Sequence, residues 1–116
     1  MSEYLFLYRG GNTRAAGAVP SPEQMQQTMQ KWTTWIKGLI DGGHLKEAGQ
    51  PLEAGGKVVT AGNGVNDGPY AEKDLVCGYS IVEASDLSAA VELSSGCPIF
   101  DAGGLVEVRP VIKLNQ

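Results

Sequence analysis

Histidine, cysteine and basic charge are all scarce in this chain, and no long apolar run occurs anywhere in it. One histidine, His44, and two cysteines, Cys77 and Cys97, are the soft metal ligands of its 116 residues. No C-x-x-C spacing or neighbouring histidine joins them, so neither a zinc site nor a redox motif is written here. Free, buried thiols are the expectation. His44 sits in a polar Gly-Gly-His-Leu turn with no orienting partner in view, and is expected to be solvated rather than catalytic. The nine Lys and Arg residues are scattered and the net charge is −4, which removes the basic footprint that phosphate neutralisation demands and argues against nucleic acid as a partner. No stretch approaches the ~18 apolar residues that cross a bilayer, and MSEYLFLYRGG puts an acidic residue before a very short apolar patch, unlike an export signal. A cytoplasmic protein without a membrane partner is expected.

What is present is ordinary for a folded chain. Apolar residues make up 42% and charged residues 19%, well away from the composition of disordered proteins. The length suits one domain over residues 1–116 with a single core.

Alternation predicts a first strand, Tyr4-Leu5-Phe6-Leu7-Tyr8, with aromatic rings on one face and leucines on the other. Ser21, Pro22, Glu23 and Gln24 spell a helix start with a capping box. Met25, Met29, Trp32, Ile36, Leu39 and Ile40 follow at helical spacing, and Gly42-Gly43 stops the helix. Trp32, Trp35 and the methionines read as a core face in preference to a ligand stripe. His44 to Glu47 fits a short edge strand, and Gly56 to Thr60 a second proper strand. Ala61 to Pro69, full of turn formers, reads as a long irregular loop. Leu75 to Glu83 is a strand with Leu75, Cys77, Tyr79 and Ile81 on one face and the smaller Val76, Gly78, Ser80 and Val82 on the other, the latter suited to a helix lying close. Ser85-Asp86 caps a second helix with an apolar face of Leu87, Ala90, Val91 and either Leu93 or Ser94. Gly96 and Pro98 end it. The last strand, Gly104 to Leu114, directs Val106, Val108 and Ile112 to one side and Leu105, Glu107 and Arg109 to the other, with Pro110 marking an edge or a bulge.

The order β-α-β-β-α-β predicts an α+β fold of ferredoxin-like type: an antiparallel sheet with two helices on one face. The other face would then present Tyr4, Phe6 and Tyr8 or their leucine alternates, with Leu75, Tyr79 and Ile81. Such a patch exceeds what soluble monomers expose. A second copy packed face to face by a two-fold axis covers it and encloses a cavity, so a homodimer is expected. Glu107 and Arg109 on that face need partners, either each other or a ligand.

One motif stands out. Asp67-Gly68-Pro69 is sound turn chemistry by itself: Asp accepts backbone N–H groups, Gly permits positive φ and Pro fixes the next φ. It equally suits a rim that aims Asp67 into a cavity mouth as a general acid or base. The charged run Glu72, Lys73 and Asp74 has the same two readings, a solvated flank or a wall of a site.

The run Val65-Asn66-Asp67-Gly68-Pro69-Tyr70-Ala71-Glu72, then Lys73-Asp74 and Gly78-Tyr79, resembles the DGPF group of YCII-related proteins. So does the terminal Val106-Glu107-Val108-Arg109-Pro110-Val111. The resemblance extends to the opening strand, the Ser21-Pro22-Glu23 helix start and the Gly42-Gly43 turn. It implies a dimeric α/β barrel of two ferredoxin-like protomers, in a superfamily that includes small monooxygenases, isomerases and dehalogenase-like proteins. It also implies a catalytic role for Asp67, the aspartate of a proposed His–Asp pair, although the first helix here has no histidine. Tyr70 stands where the family's phenylalanine is usual, which keeps the ring and adds a hydroxyl. Some relatives are linked to sigma factors.

Two readings follow. The first is a cytoplasmic, homodimeric protein binding an unidentified small molecule, or a cofactor-free enzyme of proton-transfer or lyase type. In it Asp67 moves a proton, Lys73 or Arg109 holds a carboxylate or enolate oxygen, and Tyr70 and Tyr79 help line the site. The second is a non-catalytic regulatory or partner-binding module on the same dimer. No metal cluster, Ser-His-Asp set or phosphate loop is legible, and AGNGVNDG lacks the strand-to-helix placement of a dinucleotide fingerprint. No cofactor is expected.

Overall fold

A computed structural model describes residues 1–10, 21–62, 64–71 and 73–114. Along the chain run β1 (Ser2–Arg9), α1 (Pro22–Asp41), β2 (Leu45–Glu47), β3 (Gly56–Val59), β4 (Val65–Gly68), β5 (Val76–Ala84), α2 (Leu87–Ser94), a 3-10 turn (Pro98–Ala102) and β6 (Leu105–Pro110). The class is α+β. Four strands form one antiparallel sheet in the order β2-β5-β1-β6, while β3 pairs with β4 alone. As Pro110 implies, β6 lies at an edge.

The first helix begins as its sequence requires. Ser21 Oγ accepts from Gln24 N at 3.1 Å and Gln24 Oε1 accepts from Ser21 N at 2.9 Å, a reciprocal cap whose loss costs about 1 kcal/mol. At the other end Gly43 N donates to Ile40 O and His44 N to Leu39 O, both at 2.9 Å. This closure needs a left-handed residue at Gly43, whose φ is 75°, and glycine takes that conformation without steric cost.

Both helices pack on one face of the sheet. Tyr4, Phe6 and Tyr8 of β1 and Ser80, Val82 and Ala84 of β5 are buried there, against Trp32, Trp35, Ile36 and Leu39 of α1 and Ala90 and Leu93 of α2. Tyr8 meets Trp32 edge-on with ring centroids 4.9 Å apart, and Phe6 stacks on Trp35 at 6.3 Å. Ring pairs of this kind add about 0.5–1.5 kcal/mol each beyond area burial. The tryptophans are core, as their spacing predicts. The buried Tyr8 hydroxyl donates to Ser80 Oγ at 2.7 Å, and Ser80 Oγ donates to Ala48 O at 2.7 Å. Burial holds the Tyr8 phenol well above its ordinary range, and pushes the Cys97 thiol up to about 11.

Several expectations are corrected. Residues 61–69 are not one loop: Val65–Gly68 is a strand, and Gly56–Val59 pairs with it instead of joining the main sheet. The second strand of the main sheet is the short edge segment Leu45–Glu47. In α2 Ala90 and Ser94 are buried as expected, whereas Leu87 and Val91, expected on the same face, are about half exposed. Small side chains face the sheet because they let the short helix lie close to it. Ile112 falls beyond β6 and is 78% exposed. His44 is half-buried rather than solvated, with Nδ1 3.1 Å from the Glu83 carbonyl oxygen. The aromatic row of β1 faces the helices, so the leucines are left for the other side.

Among the described residues no layer lies over that other side. The shortest dimension is 18 Å, about the thickness of one sheet with one layer of helix.

Candidate functional site

The uncovered sheet face is built from three strands by their alternation. β1 contributes Glu3, Leu5, Leu7 and Arg9, β5 contributes Tyr79, Ile81 and Glu83, and β6 contributes Leu105, Glu107 and Arg109. The register sets them in rows. Leu5 lies between Ile81 and Arg109, Leu7 between Tyr79 and Glu107, and Glu3 beside Glu83. An apolar spine thus runs down β1, with a polar flank on β6 and a mixed flank on β5.

Charges on this face are arranged around one carboxylate. Arg9 Nε donates to Glu107 Oε1 at 2.7 Å, and Arg109 Nη1 donates to Glu107 Oε2 at 3.3 Å. The i, i+2 pairing of Glu107 with Arg109 was expected; Arg9 was not foreseen as the stronger partner. Its parity with Leu5 and Leu7 is the signal that could have found it. Arg9 Nη1 also donates to Asp74 O at 3.0 Å, which ties the cluster to the turn before β5. Hydrogen bonding from Arg9, aided by Arg109, holds the Glu107 carboxyl below its ordinary value. Two guanidiniums and one carboxylate leave the cluster one positive charge in surplus. Arg109 is the open member, with a side chain 63% exposed. Such a group can grip a carboxylate or another oxyanion.

The remaining sequence-predicted residues lie elsewhere. Asp67 is in β4, its side chain 87% exposed and ion-paired with Lys57, its cross-strand partner. Tyr70 follows the hairpin and is 89% exposed. Lys73 lies in the exposed turn before β5. Among the described residues no hydrogen bond or ion pair joins Asp67, Tyr70 or Lys73 to Tyr79 or Arg109, so only the last two share a face within one chain. Glu72 is outside the described residues. Gly68 ends β4 without a positive φ. A Cβ there would stand 3.0 Å from the Gly56 carbonyl carbon, tight enough that the facing strand would have to give by a few tenths of an ångström.

Cys77 and Cys97 are both free, Cys97 buried and Cys77 half-buried, and burial raises both thiols above their ordinary values. No group of three potential metal ligands occurs among the described residues, nor does any helix there long and apolar enough to cross a membrane. An open groove of about 800 Å3 lies between α1 and the 3-10 turn, crossed by the Lys31–Asp101 pair at 3.4 Å. It contains none of the sequence-predicted residues.

Compared with known families, the chain matches the model of the YCII-related domain over residues 4–115. No curated protein matches it.

Proposed function

The chain belongs to the YCII-related family, and from that premise we propose that it is a cytoplasmic homodimer that binds a small molecule between two facing sheets. In this reading the protomer is ferredoxin-like, the dimer is an α/β barrel, and the motif at Asp67 supports membership of the DGPF group. The strand order β2-β5-β1-β6, with both helices packed on one face, supports the protomer assignment. One observation carries the functional reading: the Arg9–Glu107–Arg109 cluster sits on the same uncovered face as Leu5, Leu7, Tyr79 and Ile81. Apolar rows attract a cover, and a charge cluster inside the covered space gives it a ligand-binding chemistry. Arg109 takes a carboxylate or enolate oxygen of the bound molecule, and Tyr79 forms an aromatic wall.

Proton transfer needs Asp67 as well. It reaches that chamber only where its hairpin is laid over the rim, so binding stands independently of catalysis. Lys73 and Tyr70 join the site under the same condition.

Sedimentation at micromolar concentration tests the proposal. The wild type should run as twice the 12.2 kDa chain and Leu7→Arg as a single chain with its helix signal intact. Asp67→Asn should fold and dimerise normally. A wild type that is a well-behaved single chain sinks the reading, and unfolding of Asp67→Asn would make that residue scaffolding.

A further inference from the structure

Two charges on the uncovered face are left without full partners, and they have opposite signs. Glu83 and Glu3 are directly opposed on β5 and β1. Like charges so placed repel. Glu3 is relieved by Lys46, 3.3 Å away, but the half-buried Glu83 meets no cation among the described residues. On the far side of β1, Arg109 shares the carboxylate of Glu107 with the closer Arg9, and among the described residues most of its donors meet no other acceptor. One face therefore carries a surplus acid on one side of its leucine spine and a surplus base on the other.

We infer that the second copy docks about a two-fold axis running along β1, with Arg109 of each protomer on the partner's Glu83. This rests on the homodimer proposed above and fixes its orientation. Rotation about β1 exchanges the β5 and β6 sides and lays Leu5 and Leu7 on their own copies. Arg109 shares a row with Ile81, and Glu83 is two residues further along β5. After rotation Arg109 therefore falls over the partner's Ile81, about 7 Å along the strand from the partner's Glu83, within reach of a long side chain. The alternative axis, across the strands, sets Arg109 on the partner's Glu107. That carboxylate already has two guanidiniums, and Glu83 would stay uncompensated under a covered sheet, where an unpaired charge is costly.

The orientation has a consequence for the site. Glu107 comes to lie beneath the partner's Tyr79, one row from Arg109. Arg109 gives part of its five-donor fork to the partner's Glu83 and turns the remaining N–H groups to the bound molecule, so the guanidinium and the aromatic wall that bracket it come from different chains, and the dimer contains two equivalent sites.

Charge reversal separates the outcomes. Glu83→Arg alone sets base against base in both contacts, and Arg109→Glu alone sets acid against acid; each should weaken self-association by on the order of tenfold or more. An equimolar mixture of the two variants joins acid to base at both contacts, so it should recover the dimer mass that neither gives alone. The milder Glu83→Gln and Arg109→Gln changes should show the same coupling as non-additive effects on the dimer dissociation constant. If the mixture is no better than its components, or Glu83→Arg dimerises like the wild type, the axis along β1 is wrong while the homodimer stands. A monomeric wild type would remove both.

Discussion

The two faces of β1 differ in what they carry and in how far they are buried. On one side Tyr4, Phe6 and Tyr8 are buried beneath the tryptophans of α1; on the other Leu5 and Leu7 are only half-buried and stand among Glu3, Arg9, Glu107 and Arg109. The inner face is closed within the chain, its polar atoms satisfied by the Tyr8–Ser80–Ala48 relay. The outer face is apolar enough to seek a cover and charged enough to be selective about it. While wet, its ion pairs contribute little to stability. They gain weight only on desolvation, so stability belongs to the first face and recognition to the second.

Truncation should break this symmetry of position most clearly. Phe6→Ala removes a ring that is fully buried and stacked on Trp35, and should cost about 3–5 kcal/mol in urea unfolding, a large share of the stability of a small domain. Leu7→Ala, one residue away on the other face, should cost about 1 kcal/mol or less when measured on protein dilute enough to be unassociated. Equal losses would mean that the outer face is packed as tightly as the inner one. Ser80→Ala comes next. It strips the Tyr8 hydroxyl of its acceptor and the Ala48 carbonyl of its donor, for about 1–3 kcal/mol, and adding Tyr8→Phe should recover part of that loss.

Much of this contrast was legible in the chain. Alternation separated the rings of β1 from its leucines and the small residues of β5 from Tyr79 and Ile81, because strand geometry allows only two directions. The capping box of α1 could be read residue by residue, since it is a contact within one turn. The hairpin could not. Turn formers fill residues 61–69, yet Val65–Gly68 pairs with Gly56–Val59 through Lys57 opposite Asp67 and Val59 opposite Val65, a relation that exists only once the chain doubles back. The same limit hid Arg9: its bond to Glu107 spans most of the sequence and depends on the β1–β6 register. Asp67 stood out in sequence because its neighbours are unusual, and that says nothing of which surface its strand will face.

The smallest expected effect sharpens the comparison by pH. Hydrogen bonding from Arg9 depresses the folded Glu107 carboxyl below its ordinary value near 4.5. A depressed acid stabilises the fold above its unfolded pKa, and that contribution fades as pH falls through the lower folded value. The loss should therefore begin below about pH 4.5. Glu107→Gln, which keeps the shape but cannot ionise, should flatten this part of the acid limb and lower stability at neutral pH by the same amount that the wild type loses there, an amount kept small because the carboxylate is partly exposed and its attraction screened. The readout is the urea midpoint followed from pH 6 to about pH 3 at low and high salt. A slope that survives both the substitution and the salt would have to come from other carboxylates, and the Arg9–Glu107–Arg109 cluster would then be a wet surface arrangement with no electrostatic work done in the single chain.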